Sequence, residues 1–92
     1  MTPLETRFRP LATVHARRFE DEAVVLDLGA GKYFSLDEVG TFIWERLTAG
    51  KSVAEIVADV VTSYDVDEAR AGADVERLAA ELVANGLLER SE

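Results

Sequence analysis

Residues 31–40 read Gly31-Lys32-Tyr33-Phe34-Ser35-Leu36-Asp37-Glu38-Val39-Gly40, and a change of backbone geometry is written into them. Tyr33 and Phe34 favour a strand. Ser35 and Glu38 have capping-box spacing, with Phe34 and Val39 placed as the matching hydrophobic staple. Asp37 is an alternative N-cap for the same helix. On either choice a sheet ends here and a helical half begins.

Upstream, Ala23-Val24-Val25-Leu26-Asp27-Leu28 is rich in β-branched and aliphatic residues and reads as a strand. Gly29-Ala30-Gly31 is then a three-residue hairpin connection. Folding the chain there sets Leu28 opposite Lys32, Leu26 opposite Phe34 and Val24 opposite Leu36. This register predicts a core face of Val24, Leu26, Leu28, Phe34 and Leu36, with Val25, Asp27, Tyr33 and Ser35 on the other face. Before it, Glu20-Asp21-Glu22 makes a polar turn, and the weak alternation from Leu11 to Phe19 gives a first strand. Residues 1–10, with Pro3 and Pro10, are expected to be a flexible lead-in.

Downstream, three helices are expected. The first runs from about Asp37 to Thr48, with Val39, Phe42, Ile43 and Leu47 as its apolar stripe, Trp44 at the margin, and Gly50 as a stop. Ser52 and Glu55 form a second capping box, opening a helix to about Ser63 that buries Val53, Ile56, Val57, Val60 and Val61, with Tyr64 at its end. Asp67 caps a third helix to about Asn85, with Val75, Leu78, Ala79, Leu82 and Val83 on its apolar side. Gly72 within it marks either a break or close packing. Leu87 and Leu88 should fold back on the core. The fold class is α+β and winged helix-turn-helix-like: a three-stranded antiparallel sheet followed by three helices, one domain over residues 11–92.

The 92 residues suffice for one small core and leave little room for a deep enclosed active site. No apolar run approaches the roughly 20 residues of a membrane span, and the N-terminus carries no secretory h-region, so a cytoplasmic location is expected. Cysteine is absent, which excludes disulfides, thiolate metal sites and a cysteine nucleophile. The single histidine, His15, lies on the weak first strand with no converging partners. The carboxylate pairs Asp74/Glu81 and Asp59/Glu55 have the spacing of ordinary solvated helix faces. Ser35, Ser52 and Ser63 look like caps and helix ends. Gly29-Ala30-Gly31 lacks the lysine or helix of a phosphate loop. No enzyme, cofactor or metal site is expected.

Net charge is −8, distributed unevenly. Residues 1–20 hold four arginines against two glutamates, a net of +2, so the remainder carries −10. Helix, short turn, helix is the outline of a DNA reader. But the segment Asp67–Gly86 has five acidic residues against Arg70 and Arg77, where a groove-reading helix needs the reverse. Nucleic acid is not an expected partner; an acidic winged-helix regulator is kept as an alternative, testable by salt-dependent binding to duplex DNA.

From Gly31 through Leu47, then at Ser52-Val53-Ala54-Glu55-Ile56-Val57, and finally at Asp74-Val75-Glu76-Arg77-Leu78 and Leu82-Val83-Ala84-Asn85-Gly86-Leu87-Leu88, the sequence resembles the PqqD-like family. The ordered set carries the resemblance, over roughly residues 20–89. The hairpin from Glu22 to Leu36 resembles the stand-alone members of lasso-peptide gene clusters more than the pyrroloquinoline-quinone member. The resemblance implies a RiPP recognition element, a non-catalytic domain that holds the leader segment of a ribosomally made precursor peptide. It implies presentation to a cysteine leader peptidase, with a cyclase acting later. The pyrroloquinoline-quinone version, handing its peptide to a radical SAM enzyme, is the alternative within the family. In the family the leader lies as an added strand along the third strand, in the groove against the last helix. Carried over, this gives Lys32, Tyr33, Phe34 and Ser35 on the strand and Asp74, Val75, Arg77, Leu78 and Leu82 on the helix as peptide-binding candidates.

Overall fold

The computed structural model describes residues 3–91. Its elements run β1 (Arg7–Pro10), β2 (Val14–Phe19), β3 (Glu22–Asp27), β4 (Lys32–Leu36), α1 (Glu38–Thr48), α2 (Val53–Ser63), α3 (Glu68–Ala84) and β5 (Leu88–Ser91). The expected α+β class holds: β2, β3 and β4 form an antiparallel sheet in that order, followed by three helices. A second, two-stranded sheet pairs β1 with β5.

That second sheet corrects the expected lead-in. Met1 and Thr2 lie outside the described residues, but Arg7–Pro10 is a strand whose Arg7 stands opposite Ser91 and Pro10 opposite Leu88. Only Phe8 of this strand is buried, flanked by exposed arginines, so no apolar run announces it. The segment before it is tied down as well. The carbonyls of Leu4 and Thr6 accept from the N–H groups of Ala54 and Val53, two donors that the first turn of α2 cannot satisfy internally. Arg7 donates to the Gly50 carbonyl at 2.6 Å and reaches Glu55 at 3.2 Å.

The register of the central hairpin differs by one residue from the expected one. Ala23 stands opposite Leu36, Val25 opposite Phe34 and Asp27 opposite Lys32. The cause is the turn. Asp27 ends the strand: its carboxylate accepts from the Thr13 hydroxyl at 2.9 Å and from the N–H groups of Gly29 and Ala30. Its carbonyl accepts from the Gly31 N–H at 2.8 Å, with Gly31 at φ +70°. The loop is therefore four residues, Leu28–Gly31, and the extra residue swaps the faces of β3. Val25 is wholly buried, while Val24 and Leu26 are half-buried on the far side and Leu28 is exposed.

The helix caps follow the sequence closely. Asp37, not Ser35, caps α1, accepting from Gly40 N–H at 2.7 Å. Ser52 and Glu55 form both halves of the capping box on α2. Asp67 caps α3, which passes through Gly72 without a break. Trp44 is buried rather than marginal; Val61 and Val83, expected inside, are exposed at 38% and 43%. The core lies between the inner sheet face and the helices, with Val25, Ile43, Leu47, Ile56, Val75 and Leu82 essentially inaccessible. Between α1 and α2, Arg46 lies 3.5 Å over the Phe42 ring and shares Asp59 with Lys51.

Candidate functional site

β4 is an edge of its sheet, and its peptide groups alternate in direction. The Leu28 N–H donates to the Thr13 carbonyl, so Val24, Leu26 and Leu28 turn their peptide groups toward β2, and Ala23, Val25 and Asp27 toward β4. The partners of the latter three, Leu36, Phe34 and Lys32, face back to β3. Tyr33 and Ser35 therefore turn their N–H and C=O groups outward: two donors and two acceptors along an open edge.

Beside that edge α3 packs on α2 and β5 and stands off β4. The gap is a groove of about 550 Å³. Its floor is apolar: Leu36, Ile43, Val60, Tyr64, Val66 and Leu78 contribute. Tyr64 meets Phe42 edge to face, ring centres 5.2 Å apart, and its hydroxyl lies 3.4 Å from Glu38. Burial, then the nearby Glu38 carboxylate, raises the Tyr64 pKa above the usual phenol value, so it stays a neutral wall residue. The far lip is charged. Asp74 holds Arg77 at 3.2 Å and Arg70 at 3.6 Å, and Arg77 reaches Glu81 at 3.8 Å. At the turn end of β4 a second hollow of about 290 Å³ is bounded by Gly31, Lys32, Tyr33, Phe34, Asn85 and Leu87. The two cavities follow β4 along its whole length.

The expected site residues divide three ways. Phe34, Ser35, Asp74, Arg77 and Leu78 line the larger groove, and Lys32, Tyr33 and Phe34 the smaller hollow. Tyr33 contributes its backbone to the edge, but its side chain is 73% exposed on the outer sheet face. Val75 and Leu82 have no accessible surface and line neither cavity; they are core beneath the wall. Tyr64, Val66 and Arg70 belong to the groove and were not among the expected peptide-binding residues. Their signal is the Asp67 cap, which fixes where the chain turns back beneath β4. Among the described residues no cluster of His, Asp or Glu is placed to hold a metal ion, and no helix is long and apolar enough to cross a membrane.

The geometry offers an open strand edge beside an apolar trough with a charged lip, suited to an extended peptide. A family model described as coenzyme PQQ synthesis protein D (PqqD) matches residues 22–88, from the start of β3 to the start of β5. No curated protein matches the chain. One similar solved structure is TbiB1 in complex with the TbiA(beta) leader peptide, at TM-score 0.83 and 36% identity, covering 88% of this chain and 94% of that one. Another is a lasso peptide synthetase B1 complexed with the leader peptide, at TM-score 0.83 and 26% identity, covering 90% and 98%.

Proposed function

Because this chain belongs to the family of coenzyme PQQ synthesis protein D, we propose that it binds the leader segment of a ribosomally made precursor peptide as an added strand on β4 and presents it to a processing enzyme. The observation that carries this reading is the open edge of β4 beside a groove, in a chain whose structural neighbours are leader-peptide complexes. The other edge of the same sheet, β2, is the more heavily charged, with Arg17 and Arg18 within it, whereas the one charge of β4 is Lys32 at its turn end.

Magnitudes assign the parts. Four backbone hydrogen bonds at Tyr33 and Ser35, at about 1 kcal/mol each, give about 4 kcal/mol. Association costs at least about that much, and micromolar affinity needs roughly −8 kcal/mol net. The edge therefore sets direction and register. Side chains entering the trough against Phe34, Tyr64 and Leu78 supply the affinity, at about 1.5–3 kcal/mol for each large apolar group fully buried.

Lys32, Tyr33, Phe34, Ser35, Asp74, Arg77 and Leu78 are the contact residues in this proposal, with Val75 and Leu82 holding the wall from behind. The protein acts as a binder rather than a catalyst. The enzyme it serves is a cysteine leader peptidase of a lasso pathway, with a cyclase acting afterwards, in the cytoplasm where precursors are made. The family description favours a second version, delivery to a radical SAM enzyme of pyrroloquinoline-quinone synthesis. Neighbouring genes separate the two.

The test is titration of the wild type with the labelled leader peptide of the precursor encoded beside it. Saturable binding is expected, lost in Leu78→Glu with circular dichroism unchanged. Failure of the wild type to bind overturns the proposal.

A further inference from the structure

A strand laid in the trough has two edges. One is met by the outward peptide groups of Tyr33 and Ser35 on β4. The other faces α3, which stands off β4 across the gap. Peptide groups along a strand turn alternately to its two sides. Between the residues that pair with β4, others therefore present their N–H and C=O groups to α3. No backbone on that side can receive them. From Glu68 to Ala84 the chain is helical, and its interior peptide groups are bonded along its own axis. A peptide group shut away from water without a partner is costly, so the far edge of a bound strand needs side-chain partners.

The lip of α3 holds such partners. Arg70, Asp74, Arg77 and Glu81 all line the trough, at the three- and four-residue steps that keep side chains on one helix face. In this order they alternate donor, acceptor, donor, acceptor. From Arg70 to Glu81 the helix rises about 16 Å, and a strand turns a residue to the same edge about every 6.8 Å. The lip thus overlooks two such residues, whose two N–H and two C=O groups match its two carboxylates and two guanidiniums. Those guanidiniums are uncommitted. Arg70 and Arg77 lie 3.6 and 3.2 Å from Asp74 and are mostly exposed, yet neither side chain donates a hydrogen bond among the described residues. Arg7, Arg9, Arg18 and Arg46 each do.

A lip built for one charged leader side chain would carry one sign. This one carries both signs in equal number, and so offers a charged side chain no net attraction. It suits a row of dipoles of alternating direction, which is what a strand edge is. We propose that Arg70, Asp74, Arg77 and Glu81 stand in for a further strand, hydrogen-bonding the main chain of the leader along the edge that β4 leaves open. This rests on the proposed function, and deepens it. The guanidiniums donate to leader carbonyls, and the carboxylates of Asp74 and Glu81 accept from leader N–H groups, in charge-assisted bonds roughly twice as strong as neutral ones. The leader is held through its backbone from both sides, like an interior strand. Its side chains answer to the apolar floor, while the lip makes no demand on which ones it carries.

The test is a double-mutant cycle between leader and lip. The leader peptide of the precursor encoded beside this chain is made with single backbone esters, each deleting one N–H and keeping the side chain. Each is titrated by fluorescence anisotropy against the wild type, Asp74→Leu and Glu81→Leu. Glu81 is exposed, so its variant keeps the fold, and circular dichroism checks both. At every second position of the bound stretch an ester is expected to cost the wild type about fivefold in affinity, the factor of one net hydrogen bond. The same ester should cost one of the variants less than about twofold. Esters at the positions between, which face β4, should cost all three proteins the same. The Arg70→Met, Arg77→Met double variant keeps the alkyl stems and should bind about tenfold more weakly. That factor should persist when each charged leader residue in turn is replaced by alanine. Ester costs unchanged in both lip variants, in a wild type that binds the leader, overturn the backbone reading and leave the proposed function standing. So does loss of the arginine effect on replacing one charged leader residue, which makes the lip a reader of that side chain. Absence of leader binding by the wild type overturns both.

Discussion

Asp74 and Arg77 stand one turn apart on α3, joined at 3.2 Å, with Leu78 beside them facing the trough. The ion pair is exposed on the arginine side, and such pairs contribute little to folding, about 0–1 kcal/mol. Arg77→Ala is thus expected to leave the urea midpoint nearly unchanged and to weaken leader binding severalfold. Leu78→Glu, which puts a charge on the apolar wall, should weaken it by more than tenfold. Anisotropy titration at two salt concentrations separates the two: the Arg77 effect shrinks as salt rises, the Leu78 effect does not.

Val25 and Val24 are neighbours in sequence with opposite surroundings. Val25→Ala removes two methyl groups from a site with no accessible surface, opposite Phe34, and should destabilise by about 2 kcal/mol. Val24→Ala, on the half-buried outer face, should cost less than about 1 kcal/mol. Denaturant unfolding of the two variants reads the register directly; equal losses, or the reverse order, would contradict it.

The Thr41 hydroxyl is buried in α1 with no hydrogen-bond partner among the described residues. An unsatisfied buried hydroxyl costs about 1–3 kcal/mol relative to an apolar group of the same shape. Thr41→Val should therefore stabilise, by about 1 kcal/mol, which for a domain of this size raises Tm by roughly 4–8 °C. A thermal melt at neutral pH checks it, and a lowered Tm would show that the hydroxyl has a partner in solution.

The Asp59 pKa is lowered, first by the hydrogen bond from the Lys51 ammonium at 2.8 Å and further by Arg46. A carboxylate held below its unfolded value stabilises the fold above that value, about 3.9, and the contribution is lost as pH falls through the folded pKa. Wild type should exceed Asp59→Asn in stability at pH 7, with the gap constant down to about pH 5 and closing in stronger acid. Urea midpoints at several pH values test the sign. Glu55, lowered chiefly by the Ser52 backbone N–H, should lose its contribution over the same acid range.

Much of the fold was legible because helix ends are written locally. The Ser52/Glu55 box and the Asp67 cap need only four residues each, and both helices begin where those residues stand. The hairpin was not, because its loop length depends on a contact from outside it. Nothing within Gly29-Ala30-Gly31 says that Thr13 will donate to Asp27 and end the strand one residue early. The alternation in β3 could not arbitrate, since Val24, Val25 and Leu26 are apolar on both faces. β1 escaped notice for a different reason: a four-residue strand with one buried side chain has no pattern to detect, and its partner lies 80 residues away. At the groove, β4 and α3 were identified as elements, while Val75 and Leu82 face the core. Helical periodicity marks an apolar stripe but does not tell which part of it a neighbouring helix covers.

Arg7 and Ser91 sit opposite each other in the small β1–β5 sheet. Both lie near the start of α2, where Arg7 touches Gly50 and Glu55, whereas the trough reaches Val60 and Tyr64 toward that helix's other end. The chain thus enters β1 and runs out along β5 side by side, away from the trough. Joining the two ends with a short glycine-serine tether and opening the chain at the Glu20–Asp21 turn should give a circular permutant that still folds.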